Sequence, residues 1–245
     1  AGSYTLTLRD SYGDGGTDVF MVEGGSAGGY TGPSITDNTI ELTAGRVSPN
    51  AVGINMEDCD GVRMNTGGNS ITLSDAAMVI SNCDVVDTGS SLQGDGTAST
   101  HGINADDANG DILTLSGTTV TGFENGVTKT SGELYLTGDA SLTGTVYGAY
   151  VDDATVSAIT ASVDGGSTGT GLYVIDSDDV WVYPMNASGL VGMYVENSPF
   201  RWDGGTVDAT TALEVVEAQG SVENMTWTAS DNQINAGSNA YVTSI

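Results

Sequence analysis

Two copies of one sequence pattern decide the fold: Gly171-Leu-Tyr-Val-Ile-Asp-Ser177 and Gly192-Met-Tyr-Val-Glu-Asn-Ser198. In this pattern a small residue is followed by an apolar residue, a variable residue and a second apolar residue. The pattern returns every 20 to 25 residues, and its copies begin at Gly53, Ala77, Gly102, Gly126, Gly148, Gly171, Gly192 and Ala212. A fixed period of this length is typical of solenoid proteins.

Each repeat contains up to three short apolar patches that alternate with polar residues. In the repeat from Gly171 these are Leu172 with Val174, then Val180 with Val182, then Met185 or Leu190. Such alternation predicts strands with one face turned inward, whereas no long segment has the 3.6-residue period of a helical repeat. We therefore predict an all-β fold, a single parallel β-helix of about eight coils with three short strands per coil. Parallel crossover connections are usually right-handed, so we expect a right-handed coil.

The N-terminal segment does not follow the repeat. Residues 1–33 contain two strand-like stretches, Tyr4 to Leu8 and Val19 to Val22, and a Gly-rich stretch from Gly24 to Gly32. We predict a small β cap, or the edge of a preceding module, at 1–33 and the β-helix at 34–245. Because Ile245 falls inside a strand-like stretch, we expect further repeats of the same polypeptide to be one partner of this segment.

The composition excludes several classes of function. The 245 residues include 36 glycines, 32 acidic residues and 5 Lys or Arg, for a formal charge of −27. Nucleic acids and anionic membranes need cationic surfaces, so neither is an expected partner. No stretch of about 18 apolar residues is present, which argues against membrane insertion. The sequons at Asn186 and Asn224 are compatible with an extracellular or cell-surface location.

The two cysteines occupy equivalent places in successive repeats. Cys59 follows the start of its repeat by six residues, and so does Cys83. Stacked coils would bring their Cα atoms to about 4.8 Å, within the range for a disulfide. We predict a Cys59–Cys83 disulfide, which fits an oxidising compartment; two buried thiols are the alternative.

The repeat resembles the right-handed parallel β-helix superfamily, with its pectate lyases, polygalacturonases, phage tailspikes and cell-surface proteins. The resemblance covers residues 35–245 and rests on repeat starts such as Gly171-Leu-Tyr-Val and Gly192-Met-Tyr-Val. It implies a fold rather than an activity, because this fold carries many unrelated functions. The style of the repeats is closest to secreted and cell-surface members.

Alternation places an aromatic stripe on the outside of the predicted coils. Inward positions hold Ile54, Met78, Ile103, Leu172 and Met193, so the next residues, which include Tyr150, Tyr173 and Tyr194, point outward. The following strands add Trp181, Tyr183 and Arg201. Aromatic faces with polar tips bind sugars or proteins, so these six residues are the candidate glycan or partner site. Stacking that only stabilises exposed strands is the alternative.

Acidic residues mark two candidate calcium sites. The first lies where two coils would meet at a corner and comprises Asp152, Asp153, Asp176, Asp178 and Asp179. Asn and Asp also suit left-handed corners, which Asp58, Asn82, Asp107 and Asn197 would occupy as well. The second is the loop with Asp10, Asp14 and Asp18, which lacks two ligands of an EF-hand loop and is otherwise a Gly-rich hairpin. Crowded carboxylates repel one another, so Ca²⁺ is the predicted cofactor.

The enzymatic alternative is a pectate lyase or polygalacturonase type of activity. His101-Gly102 and Asp106-Asp107 superficially resemble the polygalacturonase elements, but Thr100 precedes the histidine and the Arg-x-Lys clamp is missing. Neither Arg63 nor Arg201 has a clear acidic trio around it, as a calcium-dependent lyase would require. An acidic polymer would also meet a strongly acidic surface.

Lys129 stands where other repeats have an apolar inward residue. Because an unpaired buried ammonium is costly, we expect the strand to bulge there, or the side chain to pair with Glu124 or Glu133.

These observations favour a non-catalytic, extracellular, adhesin-type segment that presents an aromatic stripe to a glycan or protein, with calcium as a stabiliser. A polysaccharide-active enzyme and a purely structural stalk are the alternatives.

Overall fold

The computed structural model describes residues 20–23, 34–36, 39–41, 52–57, 64–73, 76–94, 96, 100–105, 111–158 and 160–244. These ranges hold 23 strands and no helix: β1 (Phe20–Glu23), β2 (Ser34–Thr36), β3 (Thr39–Glu41), β4 (Val52–Glu57), β5 (Met64–Gly67), β6 (Ser70–Leu73), β7 (Ala76–Ser81), β8 (Val85–Thr88), β9 (Ser91–Gly94), β10 (His101–Ala105), β11 (Ile112–Ser116), β12 (Thr119–Lys129), β13 (Gly132–Thr137), β14 (Ser141–Asp152), β15 (Ala154–Ala158), β16 (Ala161–Asp164), β17 (Thr170–Ile175), β18 (Val180–Val182), β19 (Met185–Glu196), β20 (Phe200–Val216), β21 (Gln219–Trp227), β22 (Asn232–Ala236) and β23 (Tyr241–Ser244).

The strands build a parallel β-solenoid of about eight turns, as the repeat predicts. Every strand pairs in parallel with the equivalent strand of an adjacent coil, so β17 lies between β14 and β19. Three faces result. The first sheet follows the repeat starts, the second carries strands such as β15 and β18, and the third carries β16 and the beginnings of β14 and β19.

The interior is one continuous apolar core. The inward positions of the first sheet predicted from alternation, Ile54, Met78, Ile103, Leu172 and Met193, are all fully buried. They stack directly, with Leu172 beside Met193 in adjacent coils. A coil cannot cover its own inner face, so each coil depends on its neighbours for burial.

The small residue at each repeat start has a steric cause. A Cβ atom built on Gly171 would lie 2.6 Å from the carbonyl oxygen of Gly192 in the next coil. The same close approach to the next coil recurs at Gly126, Gly148 and Gly192, at 2.4 to 2.6 Å. The pattern in the sequence is therefore a consequence of how closely the coil backbones approach one another.

The corner after the first sheet is left-handed, as the Asn and Asp pattern predicts. Asn82, Asp153, Asp176 and Asn197 have φ values between 47° and 56°. Glu217 takes the same conformation, with φ of 49°, although its side chain does not favour it. Asp58 and Asp107 lie outside the described residues.

The side chain of Lys129 lies in the core and not at the surface. Its side chain is 1% exposed, and the register from Val127 to Lys129 is regular. The expectation of a bulge at this residue was wrong. The irregularity lies upstream, between Val120 and Asn125, where Gly122 has a φ of 78°.

The N-terminal region is described only in part. β1 pairs in parallel with β4, so that Phe20 lies beside Ile54 and continues the first sheet. Because the other residues of 1–33 are outside the described ranges, the cap stays a prediction, as does the hand of the coil.

Candidate binding surfaces

The predicted tyrosine stripe forms on the first sheet. Tyr150, Tyr173 and Tyr194 occupy one register position in three successive coils. The rings of Tyr150 and Tyr173 are 5.4 Å apart at 9°, and those of Tyr173 and Tyr194 are 4.5 Å apart at 2°. The three rings therefore lie face against face and cover one another.

Tyr147 joins this stack, which sequence reasoning missed. Its ring lies 5.3 Å from Tyr150 and 5.0 Å from Tyr173, tilted by about 50° to both. Strict alternation fails here because Gly148 and Ala149 are both buried. A tyrosine immediately before the repeat start is the only signal that could have revealed it.

Two hydroxyls of the stack are already engaged. Tyr194 donates to Glu196 Oε2 at 2.7 Å, and Tyr150 donates to Asp152 Oδ2 at 3.3 Å. Burial, and then the neighbouring carboxylate, raise the pKa of both phenols above the ordinary value. The ring faces contact one another, and these hydroxyls already donate to carboxylates of the protein. The stack therefore has the features of cross-strand contacts that stabilise the first sheet.

The other three aromatic-site residues lie on a different face. Trp181 on the second sheet is 47% exposed, and Tyr183 at the following corner is 48% exposed. Trp181 lies between Ser157 of the preceding coil and Arg201 of the next. The Arg201 guanidinium approaches Asp203 at 3.4 Å and Glu223 at 3.8 Å, so its charge is partly neutralised. The six predicted residues therefore form two surfaces, and only this second one has widely exposed rings.

The third sheet carries a groove that the sequence did not indicate. It has a volume of about 450 Å³ and crosses four coils. Two columns of polar side chains form its floor. One column contains Ser141, Ser162, Asn186 and Thr206, and the other contains Thr143, Asp164, Ser188 and Asp208.

Two hydrogen bonds hold side chains in the floor of this third-sheet groove. The Thr206 amide donates to Asn186 Oδ1 at 3.1 Å, which ties the Asn186 side chain to the next coil. Gly166 donates its amide to Asp164 Oδ1 at 2.9 Å. Two exposed apolar side chains border the groove strand of one coil, with Tyr183 before it and Leu190, 44% exposed, after it. Neither residue is among those that line the groove itself.

The acidic corner is built as a turn. Asp153 and Asp176 supply left-handed conformations, and Asp176 Oδ1 accepts a 2.6 Å hydrogen bond from Asn197. Asp178 and Asp179 are exposed. Within the described part of the chain, no three His, Cys, Asp or Glu side chains converge so that they could hold a metal ion. Calcium binding remains a prediction.

Several predicted calcium and disulfide residues lie outside the residues that the structure describes. Asp10, Asp14, Asp18 and Cys59 are outside the described residues. Cys83 is 2% exposed in the core, and its disulfide with Cys59 stays a prediction.

The histidine of the enzymatic alternative lies on the first sheet. His101 Nδ1 is 2.9 Å from Thr128 Oγ1 and 3.5 Å from the Asn125 amide nitrogen. Asp106 and Asp107, its proposed partners, are not among the described residues.

The described ranges contain no helix with the length and apolar character needed to cross a membrane. The chain matches no protein-family profile, no curated protein and no solved structure. The parallel β-solenoid fold is established, and membership in a pectate-lyase-like family is not shown.

Proposed function

We propose that this chain is a non-catalytic, extracellular β-helix segment that binds a glycan in the third-sheet groove. The observation that carries the proposal is the groove itself, about 450 Å³ with two polar columns as its floor. Its volume lies in the usual range for ligand sites of about 300–1,000 Å³. Hydroxyl, amide and carboxylate groups in regular rows match the many hydroxyls of a sugar chain.

The exposed aromatic residues support the same ligand class. Tyr183, nearly half exposed, lies at the corner that leads into the groove strand, and Trp181 is two residues earlier. Exposed aromatic faces just before the groove strand offer the apolar contact that sugar rings need, although neither residue lines the groove itself. The tyrosine stack on the first sheet is assigned to stability rather than binding, since its rings cover one another.

Calorimetric titration with soluble neutral and charged oligosaccharides tests this function. Ser162, in the middle of the floor, is replaced by Trp, which fills the groove. The same replacement at Thr114, on the outer face of the second sheet, is the matched control. We expect S162W to weaken binding at least about tenfold, because one lost polar contact plus a steric block exceeds 1.4 kcal/mol, and T114W to bind normally.

The titration has two outcomes that would contradict the proposal. One is that wild-type protein binds no member of the panel. The other is that S162W binds as tightly as wild type, which would place the site elsewhere. Release of new reducing ends from the same oligosaccharides would replace the non-catalytic assignment with the enzymatic one.

A further inference from the structure

The floor of the third-sheet groove carries two carboxylates at a defined spacing. Asp164 and Asp208 occupy the same column, with Ser188 of the intervening coil between them. Since successive coils are about 4.8 Å apart, their Cα atoms are separated by about 9.6 Å along the axis. Asp208 is exposed and forms no hydrogen bond or ion pair with the described residues, whereas Asp164 accepts one bond from Gly166.

No cationic side chain balances these carboxylates in the described part of the chain. The residues that line the groove include no Lys, Arg or His. Lys129 is buried in the core, and Arg201 lies on the second sheet beside Asp203 and Glu223. The chain as a whole has a formal charge of −27. The groove is therefore a region of negative potential within an already negative molecule.

This charge discriminates among classes of glycan. A uronate or sulfated chain would be repelled by Asp164 and Asp208. A neutral chain can donate hydroxyl hydrogen bonds to both carboxylates but supplies no counter-charge. A cationic chain adds Coulomb attraction at both positions, because an ammonium donates charge-assisted hydrogen bonds and also neutralises the carboxylate.

The spacing of the two carboxylates also fits such a chain. In an extended β-1,4-linked polymer, alternate sugar rings turn to opposite sides, so substituents on one side recur every second ring. That repeat is close to two coil spacings, the distance between Asp164 and Asp208. The neighbouring column, with Ser162 and Asn186, would then face the hydroxyls of the same rings.

We infer that the groove takes a cationic amino-sugar polymer that lies along the solenoid axis, with the ammonium groups of alternate rings on Asp164 and Asp208. This inference rests on the proposed function and names its ligand class. It assigns specificity to the two carboxylates and general affinity to the hydroxyl and amide groups of the floor.

The test compares two probes with one backbone, a glucosamine hexamer and an N-acetylglucosamine hexamer, which lacks the charges. Both are titrated calorimetrically below the pKa of the amines and again at high salt. We expect the glucosamine hexamer to bind about tenfold more tightly, because two partly exposed ion pairs contribute modestly. We expect salt to reduce this preference through screening.

Matched variants separate the groove from the overall charge. D164N/D208N should abolish the preference for glucosamine. D139N/D178N, which removes two exposed carboxylates outside the groove, should retain it. Asn preserves the shape of Asp, and thermal melts verify that both variants fold.

The outcomes distinguish the inference from the proposed function. Equal binding of the two hexamers, or a preference that survives D164N/D208N, would overturn the inference and leave glycan binding intact. Absence of binding to both hexamers and to the whole oligosaccharide panel would overturn the proposed function as well.

Discussion

Replacing Asp87 with Ala is expected to lower the free energy of unfolding by about 3–5 kcal/mol, because three buried hydroxyl groups lose the acceptor that they share. Asp87 is fully buried at the corner between the second and third sheets. Its carboxylate accepts hydrogen bonds from Thr66 Oγ1 at 2.7 Å, from Ser90 Oγ at 2.6 Å, and from the Thr118 hydroxyl. Removing the acceptor leaves all three buried hydroxyl donors without it, and each unsatisfied group costs about 1–3 kcal/mol.

Urea unfolding followed by circular dichroism measures this loss. In D87N the amide oxygen can still accept hydrogen bonds, but the NH₂ group faces other donors. We therefore expect D87N to lose less free energy of unfolding than D87A and more than D178A. D178A, at an exposed position, is the control and should change stability by less than about 0.5 kcal/mol. A D87A protein as stable as the D178A protein would show that the three coils are not joined at this corner.

Replacing Gly171 with Val should destabilise the protein by about 3 kcal/mol, the upper part of the range for overpacking. A Cβ on Gly171 would meet three backbone oxygens, those of Gly192 at 2.6 Å, Ser188 at 2.9 Å and Val163 at 3.0 Å. Backbone oxygens in a hydrogen-bonded ladder cannot move aside as a flexible side chain would. G171A, with one methyl group, should cost less than G171V.

Gly89 provides the control for this prediction. A Cβ there would meet no atom within 4 Å, although the backbone is left-handed with φ of 70°. G89A should therefore cost only the conformational penalty of about 1–2 kcal/mol. If G171V were no more harmful than G89A in the same urea titration, close contact between coils would not explain the glycine at the repeat starts.

The features that follow from local periodicity could be predicted from the sequence. Alternation identified the inward residues such as Leu172, and the steric limits on left-handed backbone identified the corners such as Asp176. The stacking of Tyr173 on Tyr194 followed because the repeat length fixes which residues become neighbours. These features depend only on spacing within one repeat or between two adjacent repeats.

The groove and the buried networks could not be predicted in this way. The floor residues, such as Ser162 and Ser188, are small and polar, and in the sequence they resemble loop residues. Asp87 meets Thr118, 31 residues away, across a corner whose geometry no pattern encodes. The prediction for Lys129 failed in the opposite direction. Its side chain was expected to leave the core through a bulge, but it lies buried in the core.

The separation of the six aromatic-site residues into two surfaces could not be predicted from the sequence either. Tyr150 and Trp181 both alternate outward, but they belong to different sheets, and the angle between sheets depends on the corners. The sequence likewise gave no measure of exposure. The rings of the tyrosine stack cover one another, while Trp181 and Tyr183 remain nearly half exposed.

The central claim is that coils stack in register along one axis, and pulsed dipolar spectroscopy tests it most directly. One spin label is placed at Ser91 and the second in turn at Asn186, Thr206 and Thr226, all exposed in one third-sheet column. Labels on unnatural amino acids leave Cys59 and Cys83 untouched. Stacking predicts Cα separations of about 19, 24 and 29 Å, one coil spacing per step. Distances that do not grow in equal steps of about 4.8 Å would contradict the solenoid and the groove built on it.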